Sequence, residues 1–286
     1  MGWRKAQGRK VDKKMNMANQ QDDVTENDTI TLSTLEVIEV VRNALTNKTP
    51  LSIVRVGDGE NICLSQRKVL PIRKVLSTRW GRLSRTTNWK GVRLPNTQLR
   101  DDLIASIKKA DIVGIPHYKD KEVLADEQYL RPLTDRCFEA YEIHPSRLCH
   151  TFVNRHMVEH QQFWEMLKGK KVVVISRWAN EFKNLVSKNY EAFDIQFVKL
   201  IRINRYEEIS KVMSKMKDVE CDIVFISAGV NAVILAQKLS EVQNRIAIDF
   251  GKSAIFMIKA SRKVRPWTPK RMKKRHESSE ERGKTN

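Results

Sequence analysis

The sequence predicts an α/β fold built on one mostly parallel β-sheet with helices on both faces. Short β-branched runs alternate with helical segments through the middle of the chain. Several of these runs are continuously apolar, as strands are when both faces of a sheet are covered. The 286 residues suffice for one large domain, and no low-complexity linker divides them.

Seven segments have the length and composition of buried strands. The clearest is Lys171–Ser176, which reads KVVVIS, and another is the run LSIVRV that a glycine stops at Gly57. The seven predicted strands cover residues 51–56, 110–115, 148–153, 171–176, 195–201, 222–227 and 245–249.

Helices are predicted between these strands from apolar residues at helical spacing. Ser33 and Glu36 have the spacing of a capping box, which predicts a helix that begins here and ends near Asn47. Asn96 is the predicted N-cap of the helix before the second strand. The later predicted helices cover residues 97–109, 121–141, 157–167, 206–216 and 231–242.

The net charge of +19 is concentrated at the two ends of the sequence. Residues 1–14 carry a net charge of +5 and residues 259–286 a net charge of +8. We expect a polar leader over residues 1–30 and a basic tail over 261–286, both mobile, around a catalytic domain at 31–260. The ends either attract an anionic surface, such as lipid headgroups, or only improve solubility.

Cysteine usage and hydropathy indicate a cytoplasmic protein. The four cysteines form no close pair, so neither a disulfide framework nor a zinc signature is present. No apolar leader of the secretory type is visible, and the longest nearly apolar run is too short to span a bilayer. We therefore expect any membrane contact to be peripheral, at the inner face.

The first candidate site follows the first predicted strand, where ligands of parallel sheets bind. Asp58 and Glu60 could both present carboxylates to a Mg²⁺ or Mn²⁺ ion held by a diphosphate. Arg55 could bind a phosphate, and Gly57 and Gly59 allow the backbone to approach a ligand. The alternative is an ordinary turn with solvated acids, which spacing alone favours slightly.

Two further clusters follow later strands. Ser227, Ala228 and Gly229 open a predicted helix, where backbone N–H groups can reach a phosphate; simple helix capping explains them equally well. Asp249 could accept a proton or orient a hydroxyl group. Next to it, Gly251 and Lys252 could contact the phosphate, although a plain turn is the alternative.

Weaker candidates complete the set. Asn154 could contact a sugar or phosphate after the third predicted strand, although a lone polar turn is more often structural. Trp80 could stack on a sugar ring, but a tryptophan tucked into the core is commoner. His150, His156 and His160 could suggest zinc; a strand and a following helix separate them, so this ranks low.

Two of these blocks resemble a known family. Residues 52–60, SIVRVGDGE, look like the IxRxGDGE signature of the GT-D fold glycosyltransferases, a bacterial family. The block formed by Ser227–Ala228–Gly229, Leu235–Ala236 and Ile248–Gly251 resembles that family's C-terminal SAGP…LA…xDxG pattern. The order of elements agrees from about residue 35 to 258, but only these two blocks are specific.

The resemblance implies a Rossmann-like domain that transfers a hexose from a UDP-sugar to a hydroxyl group of a glycan or glycoconjugate. It assigns Asp58 and Glu60 to the nucleotide-sugar and its Mn²⁺. Family members often carry a histidine where this chain has Lys252, and a proline where it has Val230. We expect Lys252 to replace part of the cation and to weaken the dependence on metal.

Two rival functions stay open at this point. A nucleic-acid-binding protein is suggested by the net charge and by the basic stretch over residues 67–93. The concentration of charge at the two ends and the absence of a nucleic-acid-binding motif argue against nucleic acid as a partner. A glycosyltransferase-like protein without activity is the second rival.

Overall fold

The computed structural model of the chain describes residues 29–87 and 89–261, apart from the Trp89 side chain. Almost all of the predicted leader and tail lies outside these residues, so the expectations about both ends stay predictions.

Among the described residues the sheet has eight strands, one more than the sequence predicted, and every strand pair is parallel. Its spatial order is β1-β4-β3-β2-β8-β7-β5-β6. The prediction of a mostly parallel sheet is confirmed. The strands are β1 (Ile30–Leu32), β2 (Leu51–Arg55), β3 (Ile112–Ile115), β4 (Arg147–His150), β5 (Lys171–Ser176), β6 (Gln196–Ile201), β7 (Ile223–Ser227) and β8 (Ile246–Asp249).

Twelve α-helices lie between and after the strands in the described part of the chain. They are α1 (Thr34–Asn47), α2 (Asp58–Leu64), α3 (Ile72–Ser77), α4 (Arg79–Thr86), α5 (Thr97–Lys109), α6 (Arg131–Tyr141), α7 (Val153–Met157), α8 (Gln161–Glu165), α9 (Ala179–Asn189), α10 (Ile209–Met216), α11 (Asn231–Gln243) and α12 (Ser253–Ser261). Of these helices, none is long and apolar enough to cross a membrane.

The order of the strands places a switch point between β2 and β8. From β2 the chain proceeds to β3 and β4 on one side, whereas β5 to β8 lie on the other side. Loops that leave β2 and β8 therefore diverge, which opens a crevice at their carboxyl ends. This is the edge at which the sequence places its candidate site.

Hydrophobic packing on both faces holds the sheet. Ile53 and Val54 are neighbours in β2, both are fully buried, and they belong to separate apolar clusters. Helices α5 and α11 pack on the Val54 face, and α1, α9 and α12 on the Ile53 face. Helices on both faces explain why the strands are continuously apolar.

Local signals at two helix starts are confirmed. Ser33 and Glu36 form the predicted capping box of α1, with each side chain bonded to the other's backbone N–H. Asn96 caps α5 by accepting from the Leu99 N–H at 2.9 Å.

Three predicted helices or strands between residues 116 and 167 have the wrong bounds. The helix expected over residues 121–141 begins only at Arg131, and residues 116–126 form a loop, in which Asp120 accepts backbone N–H bonds. The strand expected over 148–153 ends at His150. Of the helix expected over 157–167, only residues 161–165 form a helix of their own, α8, because α7 ends at Met157 and the chain turns at residues 158–160.

Candidate functional site

The first and third predicted clusters meet at the carboxyl ends of β2 and β8. Arg55 is the last residue of β2 and Asp249 the last of β8. Their side chains form an ion pair, with Arg55 Nη2 3.0 Å from Asp249 Oδ1. The turns that follow, with Asp58 and Glu60 on one side and Gly251 and Lys252 on the other, therefore lie side by side.

Arg55 is held by three hydrogen bonds from its guanidinium group. Beyond the ion pair, its Nε donates to the Asp249 carbonyl oxygen at 3.1 Å and its Nη1 to the Thr151 carbonyl oxygen at 2.9 Å. The side chain is 15% exposed and that of Asp249 only 1%. Arg55 thus ties together the ends of β2, β4 and β8, and this geometry favours a positioning role over the phosphate contact that the sequence suggested.

The turn after β8 is shaped around this arginine. Gly251 has φ +50°, and a Cβ atom there would lie 2.1 Å from Arg55 Nη2. The Gly251 N–H donates to Asp249 Oδ1 at 3.0 Å. Asp249 Oδ1 thus accepts from both Arg55 and Gly251, and this buried position favours a positioning role over the proton transfer considered from the sequence.

Asn154 holds the same turn through a hydrogen bond to its backbone. It is fully buried, and its Nδ2 donates to the Phe250 carbonyl oxygen at 2.5 Å. Its Oδ1 has no hydrogen-bond partner among the described residues. Its burial argues against the direct ligand contact that the sequence suggested and favours a role in bracing the turn after β8.

Asp58 and Glu60 lie in the first turn of α2, where the helix dipole stabilises negative charge. Glu60 reaches back to the helix start and accepts from the Gly57 N–H at 3.0 Å. Gly59 packs against the buried Trp80, whose ring atoms would lie 3.0 Å from an added Cβ. Trp80 thus adopts the core role, and it fixes the turn that presents the two carboxylates.

The electrostatics of this turn are those of crowded carboxyl groups. Burial raises the pKa of Glu60 most, and the carboxylates of Asp249 and Asp58 raise it further. Lys90 and Arg55 oppose this increase in pKa. Burial likewise raises the pKa of Asp249, against the influence of Arg55. The site therefore favours a cationic group beside these acids.

Lys252 supplies one such cation at the mouth of the crevice. Surrounding protein atoms lower its pKa to about 8, and Lys90 and Arg155 lower it too, whereas Asp58 and Glu60 oppose the shift. Lys252 lines the same groove as Asp58 and Lys90. Lys252 thus stands where a second positive charge can face both the acids and an anionic ligand.

A neighbouring segment, Lys90 and Gly91, packs against the second predicted cluster. Gly229 has φ +62°, and a Cβ there would lie 2.5 Å from the Lys90 carbonyl oxygen. Asn231 Nδ2 donates to the Gly91 carbonyl oxygen at 3.0 Å. Ser227 and Ala228 are half-buried beside this contact. The glycine therefore allows close packing of two backbones, and the predicted phosphate contact stays a prediction.

No sequence motif indicates a role for Lys90. It was only one member of the basic stretch over residues 67–93, and its position depends on the contact with the turn after β7. In the structure its Nζ lies 5.7 Å from the centre of the Trp80 ring. Its positive charge lowers the pKa of Glu60 and that of Lys252. Lys90 and Lys252 together form a cationic pair beside the two acids.

A groove of about 1500 Å³ opens from this point. Asp58, Lys90 and Lys252 line it together with residues of helix α4. The loop over residues 116–126, part of which was predicted to be helical, also lines it from Lys119 onward. The groove has the size of a site for a drug-sized or larger ligand.

Comparison with known proteins identifies one family. The family model named GT-D-like, described as a GT-D fold-like domain, matches residues 32–257. Searches of the curated proteins and of the solved structures returned no match.

Proposed function

The chain belongs to the GT-D-like family, and from this premise we propose that it transfers a hexose from a UDP-sugar to a hydroxyl group of a glycan or glycoconjugate. The membership gives a glycosyltransferase-like fold. The donor, the acceptor and the activity itself are our proposal, and they are argued from the crevice at the switch point.

One observation carries the proposal: the Arg55–Asp249 ion pair joins the turn that carries Asp58 and Glu60 to the turn that carries Lys252, at the switch point of a parallel sheet. Nucleotides bind at such points, with their phosphates at the adjoining turns. A diphosphate carries negative charge that Lys90 and Lys252 can neutralise. The groove beyond them offers room for the nucleoside and the sugar.

Asp58 and Glu60 provide only part of the ligand set that a hard divalent ion requires. Asp58 and Glu60 offer carboxylate oxygens, but one oxygen of Glu60 already accepts from Gly57. No third acidic, histidine or cysteine side chain among the described residues joins them in a metal-binding group. Mg²⁺ or Mn²⁺ would therefore need diphosphate oxygens as well. Asp58 and Glu60 would hold the ion, which would neutralise charge on the leaving diphosphate.

With Lys252 at a position where a histidine could ligate the ion, we expect the transfer reaction to depend less on metal. A protonated lysine offers no lone pair to a metal, but it neutralises phosphate charge directly. Lys252 and Asp58 line the same groove, and the charges of Asp58 and Glu60 favour the protonated form of Lys252. We propose that Lys252 and the ion share the stabilisation of the leaving diphosphate.

The remaining chemistry requires an acceptor hydroxyl group to attack the anomeric carbon of the donor. A carboxylate within reach of that hydroxyl can accept its proton. Asp58 lines the groove and is partly exposed, whereas Asp249 is buried. Of the three acids suggested by the sequence, Asp58 is therefore the best placed to touch substrates, with Glu60 beside it.

Binding of nucleotides tests the proposal directly. We expect UDP and UDP-hexoses to raise the melting temperature of the full chain by mass action, with and without Mn²⁺. Asp58→Asn should lose most of this increase, and Asp218→Asn, an exposed acid before β7 at the opposite edge of the sheet, should retain it. No increase with any UDP compound would refute the donor site.

A further inference from the structure

Three of the six histidines of the chain converge at a second place, beside the groove but outside the proposed donor site. His150 ends β4, His156 lies in α7, and His117 follows β3. The rings of His150 and His156 stack with centroids 5.4 Å apart and planes 3° from parallel. His117 meets the His150 ring edge-on, with centroids 4.7 Å apart.

Two carboxylates from the loop over residues 116–126 face these rings. Glu122 Oε2 lies 2.8 Å from His156 Nε2, and Asp120 Oδ2 lies 2.6 Å from His150 Nε2. One ligand atom each from Glu122, His150 and His156 lies within 4.8 Å of the other two. The loop thus brings an acidic side chain to a ready-made pair of imidazoles.

We propose that Glu122, His150 and His156 bind a divalent transition-metal ion, Zn²⁺ before the others, and that this ion fastens the loop over residues 116–126 to the sheet. Two imidazoles and one carboxylate are a donor set that suits Zn²⁺ and leaves a further position for water. Ligands of one zinc ion lie roughly 3–4 Å apart. With Asp120 on Nε2, His150 would bind the ion through Nδ1, which now accepts a long hydrogen bond from the Phe152 N–H at 3.4 Å. The two rings must also rotate out of their parallel stack, because imidazole lone pairs lie in the ring planes.

Asp120 has the position of a carboxylate that orients a metal-bound histidine. A histidine that binds a metal through one ring nitrogen commonly donates the other to such a group. The Asp120 side chain is 4% exposed and also accepts the backbone N–H groups of His117, Glu122 and Val123. These bonds fix the loop, so Asp120 is a positioning residue and not a ligand.

The ligand set shares no residue with the pair Asp58 and Glu60. Its ligands come from β4, α7 and the loop that forms a wall of the groove, whereas Asp58 and Glu60 come from α2. An ion here would hold that wall in place without a nucleotide. The proposal therefore stands or falls independently of the donor site.

Cobalt binding tests the ligand set, since Co²⁺ replaces Zn²⁺ in such sites and its visible absorption reports direct coordination. The full chain, prepared without a polyhistidine tag and freed of metal by a chelator, is titrated with CoCl₂ in the absence of nucleotide. We expect one Co²⁺ per chain and displacement of its absorption by Zn²⁺. His156→Ala and Glu122→Gln should weaken binding at least tenfold, and Asp120→Asn should weaken it less.

The controls make the assignment specific. His144→Ala removes an exposed histidine before β4 and should leave Co²⁺ binding unchanged, as should the double variant Asp58→Asn/Glu60→Gln. Circular dichroism establishes that each variant is folded. No Co²⁺ absorption in the parent chain, or equal absorption in folded His156→Ala and Glu122→Gln, would overturn the proposal, as would loss of binding only in the Asp58/Glu60 double variant.

Limited proteolysis tests the effect on the loop. Lys119 and Lys121 are exposed cleavage sites for trypsin within the loop. We expect Zn²⁺ to slow cleavage there severalfold in the parent chain and in His144→Ala, but not in Glu122→Gln. Equal cleavage rates with and without Zn²⁺ in the parent chain would contradict the role in fastening the loop.

Discussion

Arg55 and Asp249 lie 194 positions apart in the sequence and form a 3.0 Å ion pair where β2 and β8 end. This contact joins the two turns that carry the proposed donor site. Because Asp249 is almost fully buried, the pair also bears on the stability of the whole sheet.

Removal of the arginine should therefore be costly. Arg55→Met leaves the Asp249 carboxylate buried without its partner, and we expect the free energy of unfolding to fall by about 3–5 kcal/mol. Arg42→Met, which breaks an exposed ion pair with Glu39 in α1, should cost about 0–1 kcal/mol. Urea denaturation of both variants measures the difference, and equal losses would contradict the structural role of the buried pair.

A methyl group at Gly251 should disturb the same pair. Gly251→Ala adds left-handed strain and places a Cβ where Arg55 Nη2 lies, so we expect loss of both stability and UDP binding. Gly169→Ala is a matched control, since Gly169 has φ +67° and nothing within 4 Å of its added Cβ. It should lose only the backbone cost of about 1–2 kcal/mol. Thermal melts with and without UDP separate the two effects.

The raised pKa of Glu60 predicts how stability changes with pH. A carboxyl group whose pKa is higher in the folded than in the unfolded state favours folding while it is protonated. As the pH rises from its ordinary value of 4.5 through the raised value, its contribution to stability should fall and then level off. Melting temperatures between pH 4 and 8 should therefore decline less in Glu60→Gln than in the parent chain.

Glu36 offers the opposite case for comparison. Its hydrogen bonds with Ser33 lower its pKa, so its contribution is present at neutral pH and is lost as the pH falls. Glu36→Gln should consequently flatten the acid side of the same profile. Identical profiles for the two variants would contradict the assigned directions.

The low pKa of Lys252 predicts a pH dependence of nucleotide binding. Lys252 is protonated below its pKa of about 8, and only this form attracts a diphosphate. As the pH rises through this value, Lys252 loses its charge, and the affinity for UDP should decline. Lys252→Met should bind UDP about tenfold more weakly at pH 7 and show less dependence on pH.

Two further variants complete the test of Lys252. Lys259→Met, at an exposed position of α12, should leave UDP binding unchanged at every pH. Lys252→His should make UDP binding depend more strongly on Mn²⁺, because a neutral imidazole can ligate the ion. Calorimetric titrations with and without Mn²⁺ measure both effects; strict dependence on Mn²⁺ in the parent chain would contradict the role of Lys252.

The sequence was most informative where one physical requirement dominated. Strands buried on both faces must be apolar throughout, and the bounds predicted for β5 agree with the structure residue by residue. β1 was missed because it is a three-residue edge strand in which Ile30 is 57% exposed, so it lacks that pattern. The prediction of a helix from residue 121 was wrong because the Asp120 side chain accepts hydrogen bonds from the backbone N–H groups of Glu122 and Val123 and so stabilises a loop there.

The residues of the site could be predicted from the sequence better than their contacts in space. Arg55 and Asp249 each end a parallel strand, and such ends meet at one edge of a sheet. The contribution of Lys90 depends on its packing against Gly229, far along the chain, and no local pattern indicates that contact. The same holds for the meeting of His150 and His156 with Glu122, since it requires the loop that the sequence analysis placed in a helix.

UDP binding to the parent chain and to Asp58→Asn measures the central claim most directly. Isothermal titration should show one UDP per chain, with affinity reduced about ten- to a hundredfold in Asp58→Asn and unchanged in Asp218→Asn. Saturable UDP binding that is equal in all three folded proteins would contradict the placement of the donor site at the ends of β2 and β8. The absence of UDP binding in the parent chain would contradict the proposed function itself.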